Sequence, residues 1–372
     1  MIKKTFKYIA AAILITCSFT FVACGNQKAD KGVFVTKWDN YYEGSNIKFY
    51  YEGADNPNLQ KLRTKYDLDE VVKDSKDDFE KSIKLMNWVN SKMKYSKSSL
   101  STKKDALTIL KEAENNNTLS DKDFNIVYSQ SAASLGIFAR RGEFRVKNSQ
   151  ADGEDSYFKV CEVWSDKYNK WIMLDVVNNS FMESNGVPLS AIEVLNSQLA
   201  GVNTQGVKNK EKYIKKLKPY MYSYSIEIDN NIYGMPKSNS FITYINGEQL
   251  PEIRIEGDII RPTIFVKNDT LFNKSPRIIQ QEQNAQKDKM PTLIFSKNNS
   301  ENKKDGDNEI ILNGAAFMDS ANIEGYYISI DNMEWMEVKS YFTFSLKEGE
   351  NNIRFSLDGK KLIREVIIEY KK

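Results

Sequence analysis

The chain holds three cysteines, Cys17, Cys24 and Cys161, and no histidine in 372 residues. Without an imidazole it can build no Ser-His-Asp triad, no Cys-His dyad, no HExxH zinc site and no histidine pH switch. A thiol nucleophile needs a lowered pKa and a base beside it. Cys161 stands in FKVCEVW (158–164), a stretch that alternates like a strand. A lone cysteine is among the most buried residue types, so core packing is its expected role. That leaves the carboxylates, 50 of them. A pair spaced about 5–10 Å apart can hydrolyse a glycosidic bond, and a cluster can hold a hard cation.

The other two cysteines lie in a segment that reads as an export signal. Lys3, Lys4 and Lys7 precede an apolar stretch from Tyr8 to Ala23 that is too short and too interrupted to span a bilayer. It ends Phe21-Val22-Ala23-Cys24-Gly25, which resembles a bacterial lipobox with Phe21 in place of the usual leucine. The resemblance implies a signal peptide over 1–23, lipid on Cys24, and an extracytoplasmic protein anchored to the cell membrane. The polar segment that follows reads as a tether, taken to residue 45. Cys161 is then alone, and no intrachain disulfide is expected. Once the three N-terminal lysines are set aside, the remaining basic residues balance the 50 acids. Nucleic acid is therefore not an expected partner.

The elements that would position any site follow from periodicity. Asp77–Tyr95, Asp105–Glu114 and a segment from Ser120 to Gly136 have helical spacing and acids or Ser at their starts. The period then changes to two. Ala139–Val146, Tyr157–Trp164 and Lys170–Asp175 read as strands, with turns at 149–153 and 166–169. A short helix over Ser190–Asn196 and a basic one over Lys208–Lys218 follow. Met221–Ile228, Phe241–Ile245 and Ile259–Val266 read as further strands. Residues 267–308 are polar and read as linker, with Leu293-Ile294-Phe295 as an edge strand. Residues 309–372 alternate throughout, with turns about every ten residues, which indicates a small β-sandwich.

Helices, a Leu135-Gly136-Ile137-Phe138-Ala139-Arg140 step, and then an antiparallel sheet form an order that resembles the transglutaminase-like (papain-like) family. Phe158-Lys159-Val160-Cys161-Glu162-Val163-Trp164 is similar to that family's histidine strand, HVVxEVW. Lys170-Trp171-Ile172-Met173-Leu174-Asp175 is similar to its KWxxLDP, with Val176 in place of proline. The resemblance implies an α+β fold, helices packed on an antiparallel sheet, over residues 46–266. An Ig-like β-sandwich is expected over 309–372. By that alignment the family's cysteine position falls on Asp121, its histidine on Phe158, and its aspartate on Asp175.

Neither Asp121 nor Phe158 can do Cys-His chemistry, so no catalytic residue is expected and the domain reads as a pseudoenzyme. Ser120-Asp121-Lys122-Asp123 reads as a helix cap. The sharper alternative joins Asp121, Glu162 and Asp175 in a carboxylate cluster that hydrolyses peptide, amide or glycan bonds. Tyr157, Phe158, Glu162, Trp164 and Trp171 are the candidate lining of a cleft. The expected function is binding or scaffolding at the cell surface. A peptide, a wall fragment or another surface protein would be the ligand, with no cofactor and no metal. The six lysines of 208–218 read as a solvated face, with acidic wall polymer or lipid headgroups as the alternative contact.

Overall fold

The computed structural model describes residues 31–99, 105–147, 149, 156–253, 262–277, 288–297, 310–319 and 321–372. The expected signal peptide and Cys24 lie outside the described residues, as do most of the 149–153 turn and two stretches of the expected linker. Among the described residues no helix is long and apolar enough to cross a membrane. The architecture is α+β with antiparallel sheets.

Five helices come first: α1 (Pro57–Lys65), α2 (Leu68–Val71), α3 (Asp78–Lys92), α4 (Ala106–Glu114) and α5 (Asp121–Ser134). Their starts are chemically marked. Asp77 and Asp105 each accept a backbone N–H three residues ahead. At α5 the Ser120 hydroxyl accepts from Asp123 N while the Asp123 carboxylate accepts from Ser120 N, a reciprocal cap that satisfies two otherwise orphaned donors. Two short strands, β2 (Lys94–Tyr95) and β3 (Thr118–Leu119), pair in parallel and bring the end of α3 beside the start of α5.

A nine-stranded sheet carries these helices. Its strands are β4 (Ala139–Arg145), β5 (Tyr157–Ser165), β6 (Lys170–Asp175), β7 (Ser180–Ser184), β8 (Val187–Pro188), β9 (Asn203–Gln205), β10 (Ser223–Glu227), β11 (Phe241–Ile245) and β12 (Thr263–Val266). The main path runs β12-β11-β10-β4-β5-β6-β7-β8, with β9 on β7; only β11 and β12 are parallel. Side chains of β5 alternate between two cores. Cys161 and Val163 join Phe124, Val127 and Tyr128 of α5 in one. Phe158 and Val160 join the other, which holds Ile192 and Leu195 of α6 (Ala191–Ser197) and Tyr213 and Leu217 of α7 (Lys210–Leu217).

The C-terminal part has two further sheets over one hydrophobic core. One contains β1 (Gly32–Trp38), β16 (Tyr326–Ile330), β17 (Met336–Val338), β19 (Gly349–Ser356) and β20 (Arg364–Lys371), in the order β1-β20-β19-β16-β17. The other contains β13 (Thr292–Lys297), β14 (Ile310–Met318), β15 (Ala321–Asn322) and β18 (Tyr341–Leu346).

Two sequence boundaries need correcting. The segment 24–45 is not all tether, because β1 lies within it and pairs antiparallel with β20, Val33 opposite Tyr370 and Trp38 opposite Val366. Val33 and Trp38 are buried there, and such a strand gains its partner only from more than 300 residues away. Nor is 267–308 all linker. The single turn α8 (Thr270–Asn273) buries Leu271 and Phe272 completely, and β13 extends the expected edge strand over six residues.

Candidate functional site

The cap of α5 fixes Asp121 at the first helical position, where a carboxylate is favoured by the helix dipole. Its Oδ1 lies 3.4 Å from Lys159 Nζ on β5. Asp175, at the end of β6, is buried and fully hydrogen-bonded. It accepts from Asn178 N at 3.0 Å, Asn178 Nδ2 at 2.7 Å and the Tyr213 hydroxyl of α7 at 2.7 Å. Burial pushes its pKa up, against those hydrogen bonds and the charge of Lys216. Phe158 packs at 5.7 Å against Tyr220, and Lys216 Nζ stands 5.6 Å over the Phe158 ring.

Tyr95 stands exposed on the short strand beside α5. Burial raises its pKa first, and the charges of Asp121 and Asp175 add to that, while Lys97 and Lys159 oppose it. One hydroxyl therefore lies in the field of both carboxylates. Phe158 and Asp175 share one face of the sheet, joined through Lys216 and Tyr213, whereas Asp121 pairs with Lys159 on the face that carries α5. The Phe158–Asp175 site holds a phenyl ring beside a buried carboxylate, and Asp121 is held by Lys159. It contains no thiol, and its one buried carboxylate is already satisfied.

Glu162 is not part of it. Its Oε2 accepts from Arg140 Nε at 2.8 Å and the Tyr224 hydroxyl at 3.0 Å, and its Oε1 from Ala191 N at 3.0 Å. Both ion-pair partners are sealed, with side chains 1% and 0% exposed. The carboxylate cluster of Asp121, Glu162 and Asp175 thus does not form: an internal arginine holds Glu162 away from the other two. Among the described residues no group of three or more acids or cysteines is arranged to hold a metal ion.

The expected cleft does not form either. Tyr157, Phe158, Glu162, Trp164 and Trp171 are 5, 8, 0, 5 and 1% exposed. Trp164 lies six residues beyond Phe158 on β5, about 20 Å away at strand spacing, and Trp171 sits opposite Trp164 on β6. Trp171 is a core residue. Tyr51 stacks on it at 5.9 Å, the Arg140 guanidinium covers it at 4.1 Å, and its indole N–H donates to Lys274 O at 2.9 Å. Trp164 donates to Asp166 at 3.0 Å. Tyr157 faces away from Phe158, with the Arg145 guanidinium 5.4 Å over its ring.

Cys161 is buried against α5, its thiol 3.4 Å from Asn125 O and 3.3 Å from Asn125 Oδ1. Burial drives its pKa well above the ordinary thiol value, the opposite of activation.

Sequence reasoning missed Lys159, Lys216, Tyr213 and Tyr95. For α7 a signal was present: Tyr213 and Leu217 are four apart and apolar among lysines, which fixes the inward face and sets Lys216 at its flank. Lys159 was equally available, since it follows Phe158 and must point to the opposite face, toward α5.

No known family profile matches the chain, and no curated protein sequence matches it. A solved structure described as "a Putative Cysteine Protease from Cytophaga hutchinsonii" is similar at 16% identity with a TM-score of 0.27, covering 43% of this chain and 50% of that one. The chain therefore spans half the length of that protein.

Proposed function

We propose that this protein is an extracytoplasmic lipoprotein, anchored through Cys24, whose transglutaminase-like domain has lost catalysis and serves in binding or scaffolding at the cell surface. An Ig-like sandwich completes it. The observation that carries this reading is the pairing of Asp121 with Lys159 at the helix start where a nucleophile would stand. A carboxylate held by a lysine neither attacks an acyl carbon nor passes a proton to Phe158. The thiol nearest in sequence, Cys161, is sealed under α5. The Arg140 partner of Glu162 weighs against a two-carboxylate hydrolase, which needs both acids facing one cleft.

The test has two arms. Detergent-phase partitioning of membranes from cells making the parent or Cys24→Ala reads the anchor; equal partitioning removes it. Turnover of peptide, amide and glycan panels by the parent and Asp121→Asn reads the chemistry. Activity in the parent that Asp121→Asn abolishes would overturn the non-catalytic reading.

A further inference from the structure

Some charged side chains of this protein are paired locally. Lys73 pairs with Glu70, Lys167 with Asp77 and Lys347 with Asp331. The α7 region instead concentrates one sign of charge. Residues 208–218 carry six lysines against Glu211 alone, and all six are exposed. Among the described residues, no carboxylate lies within ion-pairing reach of Lys208, Lys212, Lys215 or Lys218. At 100° per residue Lys212 and Lys215 fall on one outer stripe, opposite the buried Tyr213 and Leu217, with Lys208 just before the helix and Lys218 just after it. Lys216 turns from that stripe toward the old site, over the Phe158 ring and into the field of Asp175.

A run of like charge with no internal partner is unfavourable unless something anionic answers it. Two anionic surfaces differ in what they need. A helix that lies in a membrane needs apolar side chains between its lysines to enter the acyl boundary. On α7 the fully apolar positions face inward, Tyr213 and Leu217 into the core and Ile214 half-buried beside them. A linear polyanion needs only several cations close together, which the exposed lysines on and beside α7 supply, the eight-residue helix itself being about 12 Å long at 1.5 Å per residue. Ammonium groups bind phosphates as point charges and release condensed counterions.

We infer that the exposed lysine face of α7, continued by Lys216 to the Phe158–Asp175 site, binds a linear polymer of repeating phosphates. This rests on the reading of the domain as a binding module and names its ligand class.

The experiment measures binding of the full chain to linear polyphosphate across a salt series, beside vesicles of phosphatidylglycerol and phosphatidylcholine. The compared variants are Lys212→Gln/Lys215→Gln/Lys218→Gln on α7 and Lys73→Gln/Lys84→Gln/Lys347→Gln at paired sites. Both remove the same charge. The α7 variant is expected to bind at least tenfold more weakly at low salt. Its slope of log affinity against log salt should flatten by about 2, at roughly 0.7 per lost phosphate contact. The paired-site variant should stay within about threefold of the parent.

Equal losses in both variants, an unaffected α7 variant, or a parent that binds vesicles and not polyphosphate would each overturn the inference. An unaffected α7 variant of a parent that does bind polyphosphate leaves the binding-module reading standing. Turnover lost in Asp121→Asn removes that reading and leaves the polymer contact in place.

Discussion

Arg140 and Glu162 sit directly opposite each other across β4 and β5, and neither reaches water. The guanidinium is sandwiched further by the rings of Trp171 and Phe272 and donates to Phe272 O at 2.7 Å. The pair therefore joins the central strands to α6 and to the single turn α8. Removing one partner strands a charge in an apolar interior. Glu162→Ala should destabilise the fold by about 3–5 kcal/mol, whereas Lys73→Ala at an exposed pair should change it by less than about 1 kcal/mol. Urea unfolding of both variants checks this, and similar midpoints would contradict it.

Phe158 and Asp121 stand where the resemblance puts a histidine and a cysteine, yet they should behave very differently. Phe158 is a core ring, so Phe158→Ala should lower stability by about 3 kcal/mol, at the low end for a truncated aromatic because Tyr220 and Lys216 can partly close over it. Asp121 is partly exposed beside Lys159, and Asp121→Asn should shift stability by no more than about 1 kcal/mol. Thermal melts of the two variants separate them. A neutral Phe158→Ala would mean the ring is open to solvent.

Asp175 makes a pH-dependent contribution whose sign follows from burial. Its carboxyl binds a proton more tightly in the folded chain than at the ordinary value of 3.8. Its stabilisation is present below that value and is lost as pH rises through the raised folded pKa. Asp175→Asn cannot titrate, so its stability relative to the parent should improve as pH climbs from about 4 toward neutrality. Denaturant midpoints across that range read the trend. A relative loss with rising pH would show that Tyr213 and Asn178 outweigh burial.

Cys161 should be chemically silent. Its thiol is buried, and burial holds its pKa far above neutral pH, so almost no thiolate forms. Iodoacetamide should leave Cys161 unmodified for hours in the folded protein and alkylate it within minutes in denaturant. Mass spectrometry of the Cys161 peptide gives the answer. Rapid labelling of the folded chain would reopen thiol chemistry.

The elements legible in the sequence are those whose pattern is local. The helix expected over Asp77–Tyr95 is Asp78–Lys92, that over Asp105–Glu114 is Ala106–Glu114, and the Ser120 cap opens α5 as its residues indicate. Strands at Ala139, Tyr157 and Lys170 begin where alternation begins. What escaped depends on distant partners. Nothing near Gly32–Trp38 says that β20 waits at the other end of the chain. Nothing near Leu271 and Phe272 says that Tyr224 and Tyr244 pack on the Phe272 ring. The Glu162 assignment failed for a related reason. Alternation gives the face of a strand but not what the neighbouring strand presents there, and at that register the neighbour is Arg140.

The pairing of β1 with β20 also orders events in time. β20 lies between β1 and β19, so β1 has no place in its sheet until more than 300 further residues have been made. A chain cut before Arg364 would lose both the second strand and the docking site of the first.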